Sequence, residues 1–183
     1  VLVVSASSGV ETQTLTAWRK LQAHSLRTFV FINKLDNPDY SLDDTLLSIE
    51  ESFNVRPILL SIPEYKNGEL VSVLDVLSKT RLIHNEDGRE IPEKFLPGEE
   101  PEILKKFYAE AVDFASNIDD AVLEKALSNE EVSPQLLIQA LEKLVASGKY
   151  ILCYAGSAKK NFSVRSLMTS LTFFAAPCPA LNS

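Results

Sequence analysis

The sequence is poor in residues that cross-link, ligate metals or anchor in lipid. Its two cysteines, Cys153 in an apolar run and Cys178 in a proline-rich tail, form no disulfide framework and suit reduced thiols in a cytosolic protein. The two histidines, His24 and His84, have no second ligand residue at metal spacing, so no zinc site is expected. Nor does any Ser-His-Asp or Cys-His constellation emerge from them. Apolar runs are short: Val1 to Val4 and Thr28 to Ile32 fall far below the roughly 20 residues that span a bilayer. No basic stretch leads into an apolar core and a small-residue cleavage site, so no secretory signal is read. The lone methionine is Met168, and a chain opening on Val1 inside an apolar run looks like a piece of something longer.

What remains is ordinary globular material: 183 residues, 45% hydrophobic, mean hydropathy +0.02 and net charge −7. That length supports one sizeable core, or a core with an appended lobe, and the composition excludes disorder, collagen and coiled coil. Charge is unevenly placed. Residues 1–85 hold 8 basic and 10 acidic groups, residues 86–131 hold 5 and 14, and residues 132–183 hold 5 and 1. The acidic middle is unsuited to tracking a phosphate backbone; it fits a basic partner or a solvated face.

The apolar pattern alternates between two periods. Val1 to Val4 reads as a strand buried on both faces, and Leu15, Trp18 and Leu21 place a helix over about 12–24, with Trp18 packing between helix and sheet. Thr28 to Ile32 is a second strand. Ser41 with Asp44 makes a capping-box start for a helix lined by Leu42, Leu46, Ile49 and Phe53, and Pro57 to Ile62 is a third strand. This order is the signature of an α/β fold with right-handed crossovers. After Pro63 the texture changes. Val71 to Ile83 reads as extended, Asn85-Glu86-Asp87-Gly88 as a turn, and three helices open at Pro101, about Asp119, and Ser133 with Pro134, the last ending at Gly148. Tyr150 to Ala155 restores the buried-strand pattern, and Ser163 caps a final helix. The expected organisation is a partial parallel sheet with flanking helices over 1–62 and 150–183, interrupted by an inserted α+β subdomain over 63–149.

Two motifs stand where such sheets place their ligands, at the carboxyl ends of strands. Asn33-Lys34-Leu35-Asp36 is an NKxD sequence. A carboxylate at Asp36 can accept from the N1 and N2 donors of guanine together, which adenine cannot reciprocate; Lys34 would lay its stem along the ring, and Asn33 would tie neighbouring loops together and reach N7. Gly156-Ser157-Ala158-Lys159 also follows a buried strand and precedes a helix, and such a turn presents the Ala158 N–H to guanine O6. Each motif supplies the context that the other requires.

With Gly9-Val10-Glu11-Thr12-Gln13-Thr14 and Trp18-Arg19 matching a GVxxQTxxxWR pattern, the chain resembles the guanine-nucleotide domain of translational GTPases of the elongation factor G family. Phe31 to Asp36 resembles the family's guanine-specificity strand, and Leu74-Asp75-Val76, Ile91-Pro92-Glu93 and Ala111 to Asn117 resemble parts of its inserted subdomain. Gly156 to Asn161, with Val164 and Leu167, resembles the closing turn and last helix. Asn37 stands where the family commonly has a basic residue, and Lys159 with Asn161 also resembles tetracycline-resistance ribosomal protection proteins. The resemblance implies a P-loop GTPase-like fold, with the strands present lying together at one sheet edge and Val1 to Val4 lacking a neighbour, an invitation to self-association.

It also implies a cytoplasmic, ribosome-dependent parent that uses GTP or GDP with magnesium. Asn33, Lys34, Asp36, Ser157, Ala158 and Lys159 would bind the base, and the acidic helices between Glu99 and Glu131 would contact the ribosomal stalk protein. No GxxxxGK[ST] sequence occurs, Gly148-Lys149 being preceded by Lys143 and followed by Tyr150, and no glycine has Asp three positions earlier. This chain alone is therefore expected to hold no nucleotide or metal tightly, to contribute no catalytic residue and to hydrolyse nothing. Neither a membrane nor a specific nucleic-acid sequence is expected as a direct partner. The alternative reading is a non-enzymatic acidic interaction module or a protection-type paralogue.

Overall fold

The computed structural model describes residues 1–174; Cys178 and the proline-rich tail lie outside the described residues. Thirteen elements follow in the order β1 (Leu2–Ser5), α1 (Thr12–Ala23), β2 (Phe29–Asn33), α2 (Leu42–Phe53), β3 (Arg56–Lys66), β4 (Glu69–Asp75), β5 (Thr80–His84), β6 (Glu90–Lys94), α3 (Glu102–Ser116), α4 (Asp120–Leu127), α5 (Pro134–Ala146), β7 (Tyr150–Ala155) and α6 (Val164–Phe174). Among the described residues the strands make one sheet in the order β1-β2-β7-β3-β4-β5-β6. The first four are parallel, and β3 to β6 form an antiparallel meander. This is the α/β fold that the alternation of periods predicts, arranged in the P-loop GTPase-like way that the resemblance implies.

The centre of the sheet is buried on both faces, as continuous apolar runs require. Val30 and Ile32 in β2, Leu60 in β3 and Leu152 in β7 are fully buried. β1 differs from expectation: Leu2 and Val4 are buried but Val1 and Val3 are more than half exposed, because β1 is outermost and only one face is covered. Trp18, buried in the same core as the sheet residues, also stacks on Phe53 of α2 at 4.6 Å, which ties α1 to α2.

β3 is the hinge of the topology. Its first half pairs in parallel with β7 and its second half pairs antiparallel with β4, with irregularities between Leu59 and Ser61 and between Glu64 and Tyr65. The change of texture after Pro63 therefore falls within one continuous strand. The extended stretch from Val71 to Ile83 is broken by a turn, at which Asp75 Oδ1 accepts from the backbone N–H and hydroxyl of Ser78.

Helix starts follow their capping residues. Ser41 accepts from Asp44 N at 3.1 Å and Ser133 from Leu136 N at 3.3 Å, while Gly148 adopts φ +73° just past α5. Asp119 caps α4 by accepting from Ala121 N and Val122 N, and its other oxygen accepts from Lys143 Nζ of α5 at 2.5 Å. The Lys143 ammonium holds this carboxyl below its usual 3.8. Replacing Asp119 with alanine should cost about 1–2 kcal/mol in urea unfolding, as for other lost caps. A depressed carboxyl stabilises the fold above its unfolded pKa, and that gain is lost as pH falls through the lower folded value. The difference between wild type and variant should therefore shrink as pH drops below 3.8.

Candidate functional site

The carboxyl ends of β2 and β7 lie side by side, because Phe29 to Ile32 pair in register with Leu152 to Ala155. Backbone bonds weld the two departing loops: Gly156 N donates to Ile32 O at 2.9 Å, and Leu35 N donates to Gly156 O at 3.1 Å. Leu35, fully buried, anchors the first loop as Ser157, fully buried, anchors the second. Lys34, Ala158, Lys159 and Lys160 stay exposed on this buried frame.

All six residues expected to recognise a base come together here. Ser157 Oγ donates to Asp36 Oδ1 at 2.7 Å and accepts from Lys160 N at 3.1 Å. Asn33 Oδ1 accepts from both Lys34 N (2.8 Å) and Ala158 N (2.9 Å), which ties the loops together. That second bond redirects the expected geometry, since the Ala158 N–H points at Asn33, and a base oxygen would compete with that amide for it. Lys34 holds a left-handed φ of +71°, supported by its own N–H on the preceding side chain. The Ser157 hydroxyl, with Lys159 and Lys160 adding to it, holds the Asp36 carboxyl below its usual range against the opposing effect of burial. The arrangement is a carboxylate fixed by a hydroxyl and flanked by the Lys159 and Lys160 cations.

Supporting residues were not apparent from the motifs. Ser61 of β3, fully buried, donates to Ala155 O at 3.0 Å and accepts from Ala155 N at 2.7 Å, replacing strand hydrogen bonds at the bulge. A lone serine inside the apolar run Pro57 to Ile62 was the available signal. Tyr65, beyond the second irregularity, donates its hydroxyl to Leu35 O at 2.7 Å and so braces the NKxD loop from β3. Ser163 precedes α6 but is not its side-chain cap. At φ +64° its hydroxyl turns inward and donates to Ala155 O at 2.7 Å, while its N–H donates to Glu90 Oε1.

Near the GVxxQT segment, Val10 N donates to Ser48 Oγ at 3.0 Å, joining that loop to α2. Among the described residues no group of three or more His, Cys, Asp or Glu side chains could hold a metal ion, and no helix is long and apolar enough to cross a membrane.

Comparison with known proteins agrees with this geometry. Residues 1–177 match the family described as "Elongation factor Tu GTP binding domain". The chain is 33% identical to "Ribosome-releasing factor 2, mitochondrial" of Anopheles gambiae over 97% of its length, and 30% identical to the protein of that name from Pongo abelii over 95%. It covers 25% and 24% of those two proteins, so it spans about a quarter of the curated relatives it matches. A crystal structure of a Thermus thermophilus protein superposes with a TM-score of 0.77 at 27% identity, covering 96% of this chain and 26% of that one. Matched over nearly its whole length, and carrying the NKxD and Gly156-Ser157-Ala158-Lys159 loops on adjacent parallel strands, the chain belongs to the elongation factor Tu GTP-binding domain family.

Proposed function

We propose that this chain is the guanine-recognising part of an elongation factor G-like GTPase that works on the ribosome. The observation that carries the reading is the closure of the NKxD loop onto the Gly156-Ser157-Ala158-Lys159 turn through the Ser157–Asp36 and Asn33–Ala158 hydrogen bonds. Asp36 would accept the two donors of guanine, Lys34 would cover the ring, and the Ala158 N–H would be shared between Asn33 and the base oxygen. Residues 1–62 and 150–183 would carry these groups, and residues 63–149 would form the inserted subdomain.

Phosphate and magnesium chemistry would belong to other parts of the whole protein, which hydrolyses GTP in this reading. No GxxxxGK[ST] sequence occurs in residues 1–183, so no catalytic step is assigned to them and the chain alone would hold GDP weakly. The names of the relatives favour release of ribosomes over translocation as the step served. They also favour a compartment holding ribosomes, whether the cytoplasm or the mitochondrion.

For the inserted segment we propose contact with the ribosomal stalk protein. Support comes from the groove between α3 and α4, where Glu100, Asp113, Glu130 and Glu131 rim the exposed Leu123 and Leu127. In the full-length protein, ribosomes should stimulate hydrolysis of GTP but not ATP, and ribosomes stripped of the stalk should stimulate it much less. No hydrolysis of GTP, with or without ribosomes, would leave the non-enzymatic acidic module as the better account.

A further inference from the structure

The turn that carries Ser157 and Ala158 is held from behind by the meander. Glu90 of β6, only 4% exposed, accepts from Ser163 N through Oε1 at 2.7 Å. Its backbone carbonyl accepts from Arg165 Nη1 at 3.3 Å. His84 of β5 stacks on Phe162 at 4.0 Å with rings 15° apart, and its Nε2 lies 3.2 Å from Asn161 O. Phe162 packs in turn with Leu70 and Val73 of β4. Asn161 and Ser163 both sit at positive φ, +56° and +64°, a conformation that the surroundings must impose.

What the meander holds at 161–163 is transmitted to Ser157 by backbone bonds. Ser157 N donates to Phe162 O at 3.2 Å and Phe162 N donates to Ser157 O at 2.9 Å, so the turn is a closed loop whose two ends move together. Ser157 then fixes Asp36. Resting on the guanine reading above, we infer that Glu90 and His84 are positioning residues for base recognition. Although separated in sequence from both motifs, they set where the 156–163 turn stands, and so how Asp36 faces guanine and how long the nucleotide stays.

The test uses the full-length protein, the release rate of a fluorescent GDP analogue, and the ratio of affinities for GDP and inosine diphosphate, whose base lacks the 2-amino donor. Glu90→Ala and His84→Ala should each speed release about tenfold, equivalent to about 1.4 kcal/mol, and should lower the GDP preference. Glu90→Gln keeps the acceptor for Ser163 N and should behave as wild type. A role in folding alone would lower the melting temperature without moving the GDP preference.

Unchanged release and preference in His84→Ala and Glu90→Ala would overturn the inference while leaving the guanine site intact. So would Glu90→Gln failing as Glu90→Ala does. If Glu90→Ala does not fold, His84→Ala, at a partly exposed position, decides alone. A wild-type protein that binds both diphosphates equally would instead remove the guanine reading, and this inference with it.

Discussion

Replacing Asp36 with asparagine in the full-length protein is expected to weaken GDP binding roughly 100-fold or more and to admit xanthosine diphosphate. The carboxylate offers two acceptors to two adjacent donors, whereas asparagine offers one acceptor and one donor. One charge-assisted bond worth about 1.5–3 kcal/mol is lost, and a buried donor is left facing another at a cost of about 1–3 kcal/mol. At about 1.4 kcal/mol per tenfold, that is two orders of magnitude or more. Xanthine carries a carbonyl where guanine carries the amino group, so the same substitution restores complementarity to it. Competition titration with the two diphosphates reads both effects. Equal losses for both would mean that Asp36 is not the group facing the base.

Ser157 would support that selectivity, since its hydroxyl holds the Asp36 carboxyl low. In Ser157→Ala the carboxyl should titrate closer to 3.8, so the acid limb of GDP affinity should move to higher pH.

The largest stability effect should come from Gly156→Ala. A Cβ built there would stand 2.3 Å from Phe162 O, 2.8 Å from Ser163 Cβ and 3.0 Å from the Phe162 carbonyl carbon. These atoms belong to the turn that Glu90 and His84 pin, so they have no free side chain to swing aside. Overpacking usually costs about 1–3 kcal/mol, and a backbone obstacle puts this change at the upper end or beyond. Urea unfolding followed by Trp18 fluorescence should show it. Gly88 is the comparison. Nothing lies within 4 Å of its added Cβ, so only the strain of its φ of +71° remains and alanine there should cost about 1 kcal/mol. Equal costs at the two positions would show that contact with Phe162 does not constrain the turn.

The motifs were legible in sequence because each is local: four residues at a strand end specify both the backbone exit and the chemistry offered there. Fold class was legible for a similar reason, since buried parallel strands write continuous apolar runs such as Phe29 to Ile32, and helices write Leu42, Leu46, Ile49 and Phe53. The exposure of Val3 was not legible in the run Val1 to Val4 itself, which reads as buried on both faces; the edge position that explains it was implied only by the resemblance. Ser163 misled for a physical reason. A serine before an apolar helix normally caps it, and only the left-handed backbone imposed by Glu90 turns its hydroxyl inward. The bonds from Tyr65, Glu90 and His84 span 30 to 77 positions, so no local pattern announces them.

The strand shared between the parallel and antiparallel halves bears on how this chain tolerates change in length. Side chains alternate across a strand, so deleting or adding one residue between Arg56 and Leu60 would send every later side chain to the opposite face. Ser61 would leave Ala155 and Tyr65 would leave Leu35, and both loops would lose their braces in a single step. Two hairpin tips, Asn67-Gly68 and the Asn85 to Gly88 turn, and the β6–α3 connection from Leu96 to Glu100 escape this coupling, since they connect elements without entering the sheet. Among relatives, gaps should collect at those tips, and the eleven positions of β3 should stay constant in number even where their identities drift.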